Sequence, residues 1–117
     1  MKSLVEKTGA DNPFPQGLSA NENLNPAFHD WDSDGRIDML LGTKQSLIYF
    51  KNTGSGFVKQ TTSSSNPFQA IGTKSHDYAA PVFVDLHSNG VPDLILHQKT
   101  TSYDILYRNI GKKGAPA

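Results

Sequence analysis

The feature that most constrains this chain is an internal repeat. Segments 26–38 and 81–93 each begin with Pro, an apolar residue and Phe, and each ends in a loop with Asp and Gly. Identical residues recur at a constant distance of 55 positions, Asp30, Gly35 and Asp38 returning as Asp85, Gly90 and Asp93. A repeat of this length is typical of stacked units, because one unit cannot bury its own apolar faces.

Each copy is divided into short apolar runs of strand length, and none of these runs has a helical period. In the first copy they lie at 27–28, 37–41, 47–50 and 57–58, separated by residues that favour tight turns. This pattern predicts a four-stranded antiparallel meander over 25–61. The second copy, 80–111, offers the first three strands, at 81–84, 92–96 and 103–107, and lacks the fourth.

The missing strand has a counterpart at the N-terminus. Residues 4–8 and the Asn-Pro-Phe segment at 12–14 resemble residues 57–61 and the Asn-Pro-Phe segment at 66–68. We therefore predict that residues 3–8 form a strand that completes a sheet of the second type. An open sheet edge pairs readily with another chain, so this strand fits the second copy of a neighbouring molecule.

These residues resemble the FG-GAP or VCBS type of β-propeller repeat, which occurs in integrin α-subunit heads, fungal propeller lectins and bacterial surface proteins. The resemblance covers about residues 3 to 111 and rests on Asp30–Asp38, Met39–Gly42, Tyr49–Gly54, Asp85–Asp93 and Tyr107–Gly111. It implies an all-β fold in which the whole chain, 1–117, is a single module of two four-stranded antiparallel blades.

Closed propellers contain about 4 to 8 blades, so two blades leave two apolar faces exposed. We therefore expect the chain to complete a propeller by homo-oligomerisation with exchange of the N-terminal strand. Three copies would give six blades and four copies eight, and these trimers or tetramers are favoured over a four-bladed dimer. The alternative is that the chain is an excised piece of a larger surface protein.

The first Asp loop is a predicted calcium site. Alternate carboxylates in a tight loop supply the hard oxygen ligands that Ca²⁺ takes, and without a cation these charges repel one another. A helix-loop-helix calcium motif is excluded, because Leu41 stands where that motif requires Glu. The alternative is a polar hairpin turn without metal. The predicted ligands are the side chains of Asp30, Asp32, Asp34 and Asp38 and the backbone carbonyl of Arg36.

The second loop has lost part of this ligand set. Its corresponding residues are Asp85, His87, Asn89 and Asp93, so two carboxylates are missing. We expect a weak or empty calcium site of Asp85, Asn89 and Asp93. A transition metal on His87 has no co-ligands at a suggestive spacing. The alternative is a metal-free turn held by Asp85 and Asn89.

No catalytic set is present, since Cys is absent and the clustered carboxylates belong to the cation loop, so we expect no enzyme. The resemblance implies a binding or adhesion scaffold for a carbohydrate or protein ligand. Trp31 and Tyr78 are the candidate ligand-binding residues, although Trp31 also fits packing between blades. A chain whose main property is self-assembly is the alternative function.

Charge and hydropathy limit the kinds of binding partner that are expected. Eleven basic and eleven acidic residues cancel, which argues against nucleic-acid binding. No stretch approaches the roughly 20 apolar residues of a membrane span, so no membrane insertion is expected. Calcium binding favours an extracellular or cell-surface context, although residues 1–7 lack the apolar run of a signal peptide.

Overall fold

The computed structural model describes residues 3–14, 24–44, 46–62, 64–72, 78–88, 90–98 and 104–109. The first sheet contains β1 (Asn25–His29), β2 (Asp38–Gly42), β3 (Leu47–Asn52) and β4 (Phe57–Lys59), paired in chain order. The second contains β5 (Ala80–Val84), β6 (Asp93–His97) and β7 (Ile105–Tyr107), also in chain order. All pairs are antiparallel, which confirms the all-β fold class.

Two short turns of helix accompany the sheets. A 3-10 turn, Gly9–Asp11, precedes β1, and the one-turn helix α1, Gln69–Gly72, lies between the sheets in sequence. No helix in the described ranges is long and apolar enough to span a membrane.

The two sheets have the same register, so side chains fall into equivalent cross-strand rows. We call the face with Ala27, Leu40 and Tyr49 the forward face of the first sheet, and its equivalent in the second sheet carries Val82, Ile95 and Leu106. The opposite, rear faces carry Phe28, Met39 and Phe50 in the first sheet and Phe83, Leu94 and Tyr107 in the second.

The main core lies between the forward face of the first sheet and the rear face of the second. Trp31 and Phe68 fill the space between the sheets, and Phe68 contacts rings of both, Tyr49 at 5.2 Å and Phe83 at 5.9 Å between centroids. The buried members of this core are Trp31, Leu40, Leu47, Tyr49, Phe68, Ala79, Leu94 and Leu96. β2 is buried along its whole length, as expected of a strand covered on both sides.

The residues directly after β2 form backbone hydrogen bonds with the residues directly before β5. The N–H groups of Tyr78 and Ala79 donate to the carbonyl oxygens of Lys44 and Thr43 at 2.9 and 3.1 Å. A side chain at Gly42 would place its Cβ 2.0 Å from the Ala79 carbonyl oxygen. Glycine is therefore required at this position by the close approach of two backbone segments.

A smaller cluster covers the rear face of the first sheet, where Met39, Leu41 and Phe50 are buried. The ring of Phe14 lies over this side and contacts Phe28 at 5.7 Å and Phe57 at 5.4 Å between centroids. The forward face of the second sheet, in contrast, is exposed at Val82 and Leu106.

Residues 3–8 form no strand within the single chain, and Leu4 and Val5 are exposed. The expected pairing of this segment with a neighbouring molecule stays a prediction. So do the trimer or tetramer and the blade boundaries 25–61 and 80–111.

Candidate metal centre

The loop between β1 and β2 is shaped by its own carboxylates. Asp30, directly after β1, accepts hydrogen bonds from the N–H groups of Asp34 at 3.1 Å and Gly35 at 2.8 Å. Ser33 and Gly35 adopt left-handed backbone conformations, with φ of 58° and 85°. These two residues turn the chain tightly enough to bring its acidic side chains to one side.

Three of the predicted ligands meet at this point. One carboxylate oxygen from each of Asp30, Asp32 and Asp38 lies within 4.8 Å of the other two. Carboxylate oxygens are the donors that a hard divalent cation such as Ca²⁺ prefers, and a flexible loop accommodates its variable coordination number. The donor set therefore fits calcium, and this cluster could hold a metal ion.

Asp38 is the buried member of the cluster. It begins β2, and its two oxygens accept the N–H groups of Trp31 at 3.2 Å and Asn52 at 2.9 Å. Burial raises the pKa of Asp38, the charge of Asp32 adds to this, and the two N–H donors oppose it. Burial also raises the pKa of Tyr49, which hydrogen bonds to Asp38 and stays neutral.

The ammonium group of Lys51, on β3, lies against the acidic side chains of the loop. It forms an ion pair with Asp32, and its Nζ lies 3.8 Å from Asp34 Oδ2. Burial acts to raise the pKa of Asp32, but the hydrogen bond and charge of Lys51 outweigh it and lower that pKa. The hydrogen bond to Asp32 in turn raises the pKa of Lys51.

Asp34 and Arg36, the other two predicted ligands, interact with each other. The Arg36 N–H donates to Asp34 Oδ1 at 2.8 Å, and the guanidinium Nη1 lies 3.6 Å from Asp34 Oδ2. The guanidinium also lies against Gly54, where a Cβ would come within 2.9 Å of the Arg36 Nε. Asp34 thus lies at the edge of the cluster, between two basic side chains.

The second loop repeats the scaffold of the first. Asp85 accepts the Gly90 N–H at 2.9 Å, as Asp30 accepts that of Gly35, and Asp93 accepts the Asn109 N–H at 2.8 Å, as Asp38 accepts that of Asn52. The left-handed residues also recur, with φ of 53° at Ser88 and 83° at Gly90. The described residues of the second loop therefore repeat the backbone arrangement of the first.

Its side chains differ where the first loop would contact a cation. His87 takes the position of Asp32, and its Nδ1 lies 2.8 Å from Asp93 Oδ2. The Asn109 N–H lowers the pKa of Asp93, burial opposes this, and His87 lowers it further. An imidazole thus contacts the buried carboxylate of the second loop, at the position where the first loop has the Asp32 carboxylate. The predicted ligand Asn89 lies outside the described residues.

The two candidate ligand-binding residues lie at opposite ends of β2. Trp31 is the second residue of the Asp loop and is buried, with its ring 4.8 Å from Phe68 and 5.7 Å from Phe83 between centroids. Its Nε1 is buried without a hydrogen-bond partner among the described residues. Tyr78 is half-buried beside the far end of β2, and the Lys44 ammonium lies 6.0 Å from its ring centroid.

Sequence reasoning gave no role to Lys51, whose ammonium group the structure places beside the carboxylate cluster. The register of β2 and β3 would have indicated this position, because the pair between Met39 and Phe50 puts Lys51 opposite Asp38. Asn52, recognised only as part of a motif, supplies a backbone N–H to the buried carboxylate.

Comparisons with known proteins agree with this geometry. The model of the FG-GAP-like repeat matches residues 30–96, from the first residue of the Asp loop to the penultimate residue of β6. No curated protein and no solved structure matches the chain. Since the matched segment covers more than half of the 117 residues and includes both Asp loops, the chain belongs to the family of FG-GAP-like repeat proteins.

Proposed function

We propose that the chain is a calcium-binding β-propeller module that serves as a binding or adhesion scaffold. The observation that carries the proposal is the approach of Asp30, Asp32 and Asp38 within 4.8 Å of one another. Asp30, Asp32 and Asp38 would hold the cation, with Asp34 and the Arg36 carbonyl as further oxygen donors. Bound calcium would neutralise these carboxylates and join the β1–β2 loop to the base of β2.

Thermal unfolding in calcium and after chelation tests the site. Asp32→Ala and Asp34→Ala are expected to lower the melting temperature in calcium and to abolish its sensitivity to chelator. Asp104→Ala is a matched control, because Asp104 is exposed and pairs with His97 on the second sheet. Chelator-sensitive melting that is unchanged in both loop variants would contradict the assignment.

The scaffold role is supported by two cavities beside the core. A cleft of about 90 Å³ between the sheets is lined by Trp31, Phe68, Tyr107 and Arg108 among others, and could take one small group of a ligand. A groove of about 290 Å³ follows β3 and β4 and is lined in part by the polar side chains of Lys59, Gln60 and Gln69. Polar groups in a partly apolar cavity suit a carbohydrate or a peptide.

Binding to a panel of glycans, followed by titration of any ligand found, tests this role. Trp31→Phe removes the buried indole N–H while keeping an aromatic ring, and Lys59→Ala changes an exposed side chain that lines the groove and not the cleft. A loss of affinity in the first variant assigns the ligand to the cleft, and a loss in the second assigns it to the groove. No binding to any glycan or peptide probe would contradict the scaffold role.

We propose no catalytic role, since the clustered carboxylates are engaged in the cation loop. An extracellular or cell-surface location is part of the proposal, because loops of this kind suit calcium at extracellular concentrations.

Assembly itself is a second candidate function. It is supported by the exposed forward face of the second sheet, which leaves Val82 and Leu106 without a covering layer within the described chain. Light scattering with calcium and with chelator tests it. A discrete trimer or tetramer that weakens on chelation is expected, and a monodisperse monomer would contradict it.

A further inference from the structure

The repeat places a basic side chain at the same point of both sheets. Asn52 and Asn109 donate equivalent backbone N–H groups to the buried carboxylates of the two sheets, at 2.9 and 2.8 Å. The residues directly before them are Lys51 and Arg108, which are therefore equivalent. In the first sheet, the ammonium group of Lys51 forms an ion pair with Asp32.

The second loop offers Arg108 no such partner. His87 stands where the first loop has Asp32, and its Nδ1 lies 2.8 Å from the buried Asp93 carboxylate. Within the part of the chain that the structure describes, the exposed guanidinium of Arg108 makes no ion pair or hydrogen bond. The histidine in place of an aspartate therefore leaves this cation free to bind an anion from outside the chain.

A second donor shares the same cleft. Arg108 and Trp31 both line the cleft of about 90 Å³ between the two sheets. Trp31 is 9% exposed, and its indole Nε1 is buried without a hydrogen-bond partner among the described residues. A buried N–H group that has lost its hydrogen bond to water destabilises the chain, so an acceptor oxygen from a ligand would be favourable at this point.

The remaining lining of the cleft suits a small apolar group. No acidic side chain lines it within the described residues, and Phe68, Ile71 and Leu94 form much of its wall. Each hydroxyl group of a sugar ring needs its own hydrogen-bond partner when it is buried, whereas a short hydrocarbon group needs none. A carboxylate has two acceptor oxygens, so one such group can bind a guanidinium and an indole N–H together.

We infer that this cleft binds a carboxylate carried on a short apolar group. Arg108 and Trp31 Nε1 recognise the carboxylate, and Phe68, Ile71 and Leu94 contact the apolar part. The inference rests on the proposed scaffold role and names the chemical class of its ligand. It does not depend on calcium binding or on self-assembly.

Nuclear magnetic resonance of the ¹⁵N-labelled full chain tests the inference. Trp31 is the single Trp of the sequence, so the spectrum contains one indole N–H signal, which reports directly on the cleft. Sodium propionate in calcium-free buffer is the probe. It is expected to move this signal downfield and to saturate, because the N–H gains an acceptor. Propionamide, which has a similar shape and no charge, is expected to bind at least about tenfold more weakly, and sodium chloride at equal concentration is expected to leave the signal unchanged.

Two variants that each remove one positive charge locate the binding site. Arg108→Gln is expected to weaken propionate binding by at least about tenfold, because hydrogen bonds to charged groups are the stronger ones. Lys44→Gln is the matched control, since Lys44 is exposed at the other end of β2 and does not line the cleft. It is expected to bind propionate as the unmodified chain does. Arg108→Lys, which keeps the charge, replaces the first variant if the amide spectrum shows that Arg108→Gln is unfolded.

Two further probes identify the source of the carboxylate. Tighter binding of N-acetylalanine than of propionate would point to the carboxyl end of a peptide, and the reverse order to a free small acid; either order supports the inference. Tighter binding of glucuronate than of both would assign the cleft to an acidic sugar and overturn the inference.

Three other results would also overturn it. An indole signal that propionate does not move would mean that the cleft takes no carboxylate. Equal affinities for propionate and propionamide would mean that the charge is not recognised, and unchanged binding in Arg108→Gln would place the carboxylate elsewhere. In each case the scaffold role keeps its own test, because a glycan or peptide whose binding depends on Lys59 would still bind in the groove.

Discussion

In the first Asp loop, the ammonium group of Lys51 lies in the region to which the carboxylates would also attract a metal ion. It pairs with Asp32 and lies 3.8 Å from Asp34. This side chain offsets part of the repulsion among the carboxylates when no cation is bound. It also repels a cation that enters the loop, so it affects the stability of the metal-free chain and the affinity for calcium in opposite directions.

Lys51→Met keeps the length of the side chain and removes its charge. We expect the metal-free variant to melt at a lower temperature and to bind calcium roughly tenfold more tightly at low salt, because a unit charge and a divalent ion about 5 Å apart repel by more than 1 kcal/mol even in water. Isothermal titration and thermal unfolding measure the two effects. Lys59→Met is the control, and equal affinities in Lys51→Met and the unmodified chain would contradict the prediction.

Asp38 is expected to make the proposed calcium site depend on pH. Burial raises the pKa of Asp38 above its ordinary value of 3.8, so the folded chain takes up a proton at a pH where the unfolded chain has not. Without calcium, stability therefore falls as the pH rises from 3.8 through the raised pKa. With calcium the ionised carboxylate is needed, so the stabilisation by calcium falls as the pH falls through the same window.

The measurement is the shift in melting temperature on adding calcium, recorded from pH 7 down to pH 4. We expect the shift to shrink before pH 4 is reached. Asp32 does not account for such a loss, because its pKa is lowered and it stays ionised in this window. A shift that stays constant down to pH 4 would contradict the prediction.

At the scale of the elements, much of the fold follows from the sequence. The apolar runs at 37–41 and 47–50 became β2 and β3 because alternate residues can be buried on the two faces of one sheet. The 55-residue repeat likewise indicated that both Asp loops share a backbone. Trp31 was ambiguous from the sequence, because its environment depends on Phe68 and Phe83, which come from distant parts of the chain.

Gly42 shows what the sequence could not indicate about the elements. It ends β2 in an ordinary strand conformation, so its local context explains no need for glycine. The need comes from Ala79, 37 positions later, whose carbonyl oxygen would lie 2.0 Å from a Cβ at position 42. A contact between two backbone segments has no signature in either segment alone.

Gly42→Ala is therefore expected to destabilise the chain by about 3 kcal/mol, the upper part of the range for overpacking, because the obstructing atoms are backbone. Gly9→Ala is the matched control. The added methyl group has open space around it, but position 9 has a φ of 58°. The substitution should therefore lower the free energy of unfolding only by the strain of an alanine in the left-handed conformation, about 1 kcal/mol. Urea unfolding measures both, and equal costs would contradict the close approach.

At the scale of the whole molecule, the packing of the first sheet on the second determines which assemblies several copies of the chain can form. If copies pack on one another in the same way, the rotation from one copy to the next either closes a ring or continues as an open filament. A closed ring of three or four copies would have three or four times the chain mass of 12.8 kDa. Its mass would stay constant as concentration rises, whereas the mass of a filament would grow.

The N-terminal segment gives the last prediction. Residues 3–8 form no strand within the chain and Leu4 is exposed, whereas β7 is the edge strand of a three-stranded sheet. If these residues pair with β7 of a neighbouring copy, removing residues 1–8 should weaken assembly and leave the fold of the single chain intact. The expected result is a larger dissociation constant by analytical ultracentrifugation, with an unchanged circular dichroism spectrum of the dilute monomer.

The control for this truncation keeps its length, by replacing residues 3–8 with Gly and Ser. Such a segment keeps the reach of the chain but forms strands poorly, so it should assemble as weakly as the truncated chain. Full assembly of the truncated chain would mean that contact between the blade faces is sufficient to join copies and that the edge of β7 is not used. Full assembly of the Gly-Ser variant alone would mean that the segment contributes its backbone but not its apolar side chains.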